Sequence, residues 1–121
     1  MVIKMMKNKK KKISMVIILI ILILFIMLIA VPYAKAEVLT YKYGDQFQEL
    51  YKQTNIIADI EYLKVIEYSD KLAKVCYISK DHQSSNVITF KQQDETWVID
   101  SWVTIWSKTG SADGFVWPYY R

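Results

Sequence analysis

The chain's single histidine, His82, lies in Lys80-Asp81-His82-Gln83-Ser84-Ser85-Asn86, beside an acid and two hydroxyls. Nucleophilic catalysis needs a nucleophile, a base and an orienting group that meet in space, and one short turn rarely supplies all three. The run therefore reads as a solvated turn. The single cysteine, Cys76, sits between Val75 and Tyr77 and reads as a small buried hydrophobe. In an oxidising compartment it has the alternative of pairing with another chain. Asp59, Glu61, Glu67 and Asp70 flank an apolar stretch without the D-x-D-x-D-G spacing of a calcium loop. One cysteine and one histidine cannot assemble a multi-cysteine or histidine-rich zinc site, so neither metal nor cofactor is expected. The remaining catalytic option is a small hydrolase or isomerase that sets Asp100 against Tyr62 or Tyr77 in a sheet concavity.

Aromatic residues are the one abundance. Fifteen follow Ala36, among them Trp97, Trp102, Trp106, Phe115, Trp117, Tyr119 and Tyr120. A small domain with little area to bury fills its core with large side chains, which accounts for Phe47, Tyr51 and Phe90. Trp97, Trp102, Trp106, Trp117 and Tyr119 are the candidate binding residues, because aromatic groups dominate interface hot spots and concave ligand sites. A partner protein, an envelope sugar ring and the membrane–water interface all suit such a surface.

The charge is divided along the chain. Of the 16 basic residues, seven precede Glu37, while all 12 acids lie from Glu37 onward, so the formal charge of +4 belongs to the N-terminus. Glu37–Arg121 is weakly acidic and offers no basic stripe for phosphates, which argues against nucleic acid. Met15–Val31 is an unbroken apolar run preceded by Lys7-Asn8-Lys9-Lys10-Lys11-Lys12 and followed by Pro32 and Ala34-Lys35-Ala36. A positive segment, an apolar segment and an A-x-A exit make a secretory signal peptide over residues 1–36, with cleavage between Ala36 and Glu37. Pro32 is expected to end the helix and leave the exit extended for the peptidase.

The alternative is an uncleaved anchor over residues 13–31. Seventeen apolar residues give about 25 Å of helix, near the lower limit for spanning a bilayer. Both readings engage the membrane, keep the lysine run cytoplasmic and place residues 37–121 outside. The long, lysine-charged export signal points to a bacterial, Gram-positive-type envelope.

The exported part must then position the candidate residues. Asp45 and Gln48 stand at capping-box spacing, and Phe47, Leu50, Tyr51 and Thr54 recur on one face, which predicts an amphipathic helix over Asp45–Thr54. β-branched and aromatic stretches predict strands at Ile60–Tyr68, Leu72–Ser79, Val87–Gln92 and Thr96–Ser107. Their short links force an antiparallel meander. The fold class is α+β, one amphipathic helix packed on four antiparallel strands. Parity breaks near Asp100-Ser101, and a bulge there would put Trp97, Ile99, Trp102, Thr104 and Trp106 on one face. Ser107–Gly114 reads as a loop long enough to fold Phe115–Tyr120 back over the Trp102–Trp106 face, burying Phe115 and Trp117.

A small exported domain with a leading helix and a curved sheet resembles the cystatin-like and nuclear-transport-factor-2-like superfolds. The run Glu95-Thr96-Trp97-Val98-Ile99-Asp100-Ser101-Trp102 resembles late strands of exported members of the second group. Such folds host many activities, so the resemblance implies no function. The sequence favours a non-enzymatic binding module at the bacterial cell surface, meeting a surface protein or envelope ligand. A membrane-anchored structural or immunity-type protein and the pocket-based hydrolase or isomerase are the alternatives.

Overall fold

A computed structural model describes residues 2–110 and 112–121, with side chains from Lys9 onward. Ser111, inside the expected loop, and the side chains of Lys4 and Lys7 in the basic segment lie outside the described residues. The chain divides into two units, residues 1–31 and residues 32–121.

In the first unit the backbone is helical from Val2, and every side chain from Lys9 to Val31 is exposed. A helix that is apolar all round and covered by no protein is long and apolar enough to cross a membrane.

The second unit opens on the continuation of the same helix, α1, which spans Val2–Tyr43. This corrects the expectation that Pro32 ends it. Proline removes one N–H and clashes with the preceding turn, at about 3 kcal/mol, and tertiary contacts after it offset that cost. Tyr33, Ala36, Thr40 and Tyr43 recur along one face of the helix, with Ala36 fully buried and Leu39 and Tyr43 packed on the core. The exit segment Ala34-Lys35-Ala36 is therefore helical, not extended.

Two 3-10 turns, Gly44–Phe47 and Leu50–Gln53, stand where the Asp45–Thr54 helix was expected. The apolar spacing was sound, since Phe47 and Tyr51 are both buried. The backbone differs because the Tyr77 hydroxyl donates to the Phe47 carbonyl at 2.7 Å, the acceptor that an α-helical Tyr51 N–H would use. Asp45 does not cap: the residue before the first turn is Tyr43, with no side-chain cap bond. At Gly44 a Cβ would come within 3.3 Å of the Thr40 methyl, so a larger residue where the chain leaves α1 would have to press that methyl aside by a few tenths of an ångström.

The sheet is an open antiparallel meander in the order β1 (Ile60–Tyr68), β2 (Leu72–Ser79), β3 (Ser84–Gln93) and β4 (Thr96–Ser107). β3 begins earlier than expected because the Ser79 and Ser84 hydroxyls and backbone close the β2–β3 link tightly. The β3–β4 hairpin turns on Asp94 and Glu95, both at positive φ, as a two-residue primed turn demands.

Hydrophobic residues cover both faces of the sheet. One face joins Leu63, Val65, Ala73, Val75, Tyr77, Ile88, Phe90 and Trp97 to Phe47, Tyr51 and Ile57. The other joins Ile66, Cys76, Ile78, Val87 and Ile105 to Val116, Tyr119 and Tyr120 of the tail. The C-terminal part of α1 lies along the β1 edge: the Val65 N–H donates to Thr40 Oγ1 at 2.8 Å, and Lys64 pairs with Glu37 at 2.7 Å. A helix so placed occupies an edge that would otherwise invite strand pairing.

The β4 register skips Asp100, as the parity break implied. It skips once more at Ile105, and Trp106 pairs with Ser85 on the tail-covered face. Trp97, Ile99, Trp102 and Thr104 share a face by register, and Trp106 does not.

Candidate functional site

The five candidate aromatic residues take different roles. Trp97 is core: its indole N–H donates to Gln46 Oε1 at 3.3 Å, and its ring lies 5.5 Å from Phe47 and 5.8 Å from Tyr68. Trp102 is 47% exposed and stands apart from the tail residues on the opposite face. Trp106 is half-buried, with the Arg121 guanidinium 5.3 Å over its ring, a cation–π contact. Trp117 and Tyr119 meet, together with three residues not among the five: Tyr33, Phe115 and Tyr120.

This assembly is held by a clasp between the start of the domain and its end. The Tyr33 hydroxyl donates to the Tyr119 carbonyl at 2.8 Å and accepts from the Tyr119 N–H at 3.2 Å. Its ring meets Trp117 at 5.4 Å and Tyr120 at 5.2 Å, both edge-to-face, the favoured aromatic geometry. Behind the clasp, Ser85 Oγ donates to the Tyr120 carbonyl at 2.6 Å, and the Tyr62 hydroxyl donates to the Arg121 carbonyl at 3.3 Å. Tyr33 was legible in principle, since it begins the spacing shared with Ala36, Thr40 and Tyr43.

The tail packs on the sheet, but with different residues from those expected. Val116, Tyr119 and Tyr120 enter the core, while Phe115 is 67% and Trp117 44% exposed. Phe115 stacks on Tyr119 at 5.6 Å and lies 6.1 Å from Trp117. The result is an exposed aromatic lip on a fixed base. From Gly114 to Arg121 it contains no acid and one arginine.

The expected processing residues fall within α1: Ala34 is exposed, Ala36 is buried against the domain, and Glu37 is paired with Lys64.

The candidate catalytic groups do not converge. Asp100 is exposed and pairs with Lys91 at 3.6 Å. Tyr77 donates into the core on one face, whereas Tyr62 donates to the tail on the other. His82 is exposed on the β2–β3 link, 6.2 Å from the Tyr62 ring. Among the described residues no three His, Cys, Asp or Glu side chains gather to hold a metal. Cys76 is fully buried with Sγ 3.2 Å from Ser85 Oγ, and burial pushes its thiol up to about 11. A thiol so placed is unreactive and closed to another chain.

An open groove of about 600 Å3 runs beside Ser84, Asn86, Thr104, Lys108 and Asp113. Its central polar atoms already satisfy one another: Thr104 Oγ1 donates to Asn86 Oδ1 at 2.6 Å, and Asn86 Nδ2 donates to Ser84 Oγ at 3.2 Å. The aromatic lip, with its rings turned outward, is the better candidate surface. No protein-family model, curated protein or solved structure matches the chain.

Proposed function

We propose that the protein is a single-pass, membrane-tethered interaction module, with the lysine run cytoplasmic and Pro32–Arg121 displayed on the outer face. The observation that carries this reading is the Tyr33–Tyr119 clasp together with the burial of Ala36. Both belong to the segment that cleavage after Ala36 would remove or fray. A signal peptide is discarded without consequence for the mature fold, whereas the Tyr33 side chain holds the C-terminal tail in place and Ala36 is fully buried. The helix they form is continuous with an apolar run of membrane-spanning character, and the lysines before that run favour a cytoplasmic N-terminus.

The exposed lip gives the displayed domain its surface for recognition. Phe115 and Trp117 are supported from beneath and are not needed to fill the core, so their exposure is available for binding.

Intact-mass analysis of membrane and culture fractions from expressing cells tests the tether. The expected result is the full-length mass in membranes. A species beginning at Glu37 in the supernatant would overturn the tether and restore the secreted reading.

A further inference from the structure

We propose that the aromatic lip of Phe115, Trp117 and Tyr33 seats the domain on the outer interface of the bilayer that its own helix enters, with phospholipid as the occupant. This rests on the tethered reading above.

The argument starts from covalent distance. Tyr33 lies two residues beyond Val31, the end of the apolar run, and two helical residues rise about 3 Å. In a tethered chain Tyr33 is therefore at the level where hydrocarbon gives way to headgroups. The Trp117 ring is 5.4 Å from the Tyr33 ring, and the Phe115 ring is 6.1 Å from that of Trp117. With about 6.5 Å for the full reach of the Tyr33 side chain from its Cα, the Trp117 ring lies within about 15 Å of the boundary and the Phe115 ring within about 21 Å.

Their chemistry suits that depth. Trp and Tyr concentrate at membrane interfaces because an apolar ring and a polar edge match the gradient there. Lys35, exposed on the same turn of α1, can extend its ammonium toward lipid phosphates. No acid between Gly114 and Arg121 opposes those phosphates.

The other end of the domain provides the contrast. Tyr43 stacks on Tyr68, the last residue of β1, at 3.7 Å. The helix thus runs from the lip toward the β1–β2 hairpin, and the antiparallel order puts the β3–β4 hairpin at that same far end. Asp70, Asp94 and Glu95 occupy these hairpins. Three acids thus stand away from the lipid, while at the lip's end Asp81 on the β2–β3 link is flanked by Lys80 and His82; the acid-free aromatic tail faces the lipid.

The test uses the full chain in phosphatidylcholine–phosphatidylglycerol vesicles. Phe115→Cys and, separately, Asp70→Cys are labelled with a nitroxide; Cys76 is buried with a raised thiol and does not take the label. Flotation with the vesicles is scored first, and the accessibility of each label to oxygen and to an aqueous nickel complex second. The expected result is flotation of both proteins, with an oxygen-to-nickel ratio several-fold higher at residue 115 than at residue 70. Equal, water-like ratios in floating protein would overturn the lipid-facing lip while sparing the tether. Failure to float would overturn both. Because Phe115 is 67% exposed, its replacement removes no core. Trp117→Ser in the Phe115→Cys background is the second variant, expected to lower the ratio at residue 115. An unchanged ratio would overturn the role given to Trp117.

Discussion

Changing Tyr33 to Phe deletes one oxygen and keeps the ring, so the edge-to-face contacts with Trp117 and Tyr120 survive while both hydrogen bonds to Tyr119 are lost. A hydrogen bond contributes about 0.5–1.5 kcal/mol net, and the Tyr119 N–H and C=O left behind pay part of their desolvation again. The clasp is half-buried, so water recovers some of that loss, and about 2 kcal/mol is the expected destabilisation. For a domain of 60–100 residues each kcal/mol moves Tm by about 4–8 °C, giving a fall of about 8–16 °C. Tyr120→Phe is the matched control, the same deletion one ring away. The Tyr120 hydroxyl is buried with no hydrogen-bond partner among the described residues, so removing it relieves an unsatisfied group and leaves Tm unchanged or raises it. Both variants and the parent are melted as full-length protein in detergent micelles, followed by near-ultraviolet circular dichroism. Equal melting of Tyr33→Phe and parent, or a fall in Tyr120→Phe as large as that in Tyr33→Phe, would refute the clasp. Cleavage after Ala36 would take away the whole Tyr33 side chain, so the Phe variant measures the least that processing would cost.

Further outcomes follow from the same geometry. Tyr77→Phe should destabilise by about 1–3 kcal/mol, because it leaves the buried Phe47 carbonyl without its donor; denaturant melts measure this, and an unchanged midpoint would mean that the 3-10 turn does not depend on the bond. Replacing Asp94-Glu95 by Asn-Gly should stabilise by about 1 kcal/mol, since both residues sit at positive φ, which Asn tolerates better than Asp or Glu and Gly adopts with no Cβ penalty; a lowered Tm would count against the assignment. Stability should fall as the solution becomes alkaline. Burial raises Cys76 to about 11, Tyr120 to about 12 and Tyr77 further still, above ordinary values of 9.0 for the thiol and 10.0 for the phenols. A folded pKa above the unfolded one gives stability that is complete below the unfolded value and is lost as pH rises through the folded one. Melting should therefore be flat up to about pH 9 and decline beyond it, with Tyr120→Phe declining less between pH 10 and 12; a Tm independent of pH from 9 to 12 would contradict the burial of these groups.

The strands were legible in the residues because alternation and turn chemistry are local. Ile60–Tyr68, Leu72–Ser79 and Thr96–Ser107 are the observed β1, β2 and β4. The Asp100 bulge showed as a break in apolar parity, and it is present. The second irregularity, at Ile105, left no such trace, because Ile105 and Trp106 are both apolar and either could face inward. The apolar run before Pro32 was equally plain, since seventeen apolar residues in sequence need no tertiary context to be recognised.

Other features were decided only by the folded chain. Taken locally, Pro32 stops a helix and Asp45 starts one, and neither does so here. Helix α1 continues because Thr40 and Tyr43 find partners on β1 and Ala36 is buried, and the next helix gives way to 3-10 turns because Tyr77 takes the Phe47 carbonyl. The tail's sequence showed that Phe115–Tyr120 must meet apolar surroundings, but not which rings would turn inward. That choice belongs to Tyr33, 86 residues earlier, whose hydroxyl fixes the backbone of Tyr119. With that backbone fixed, Tyr120 points to the core while Phe115 and Trp117 remain outside. Patterning records how one segment divides its own side chains between two environments, whereas a contact across the whole domain depends on where every intervening element has been packed.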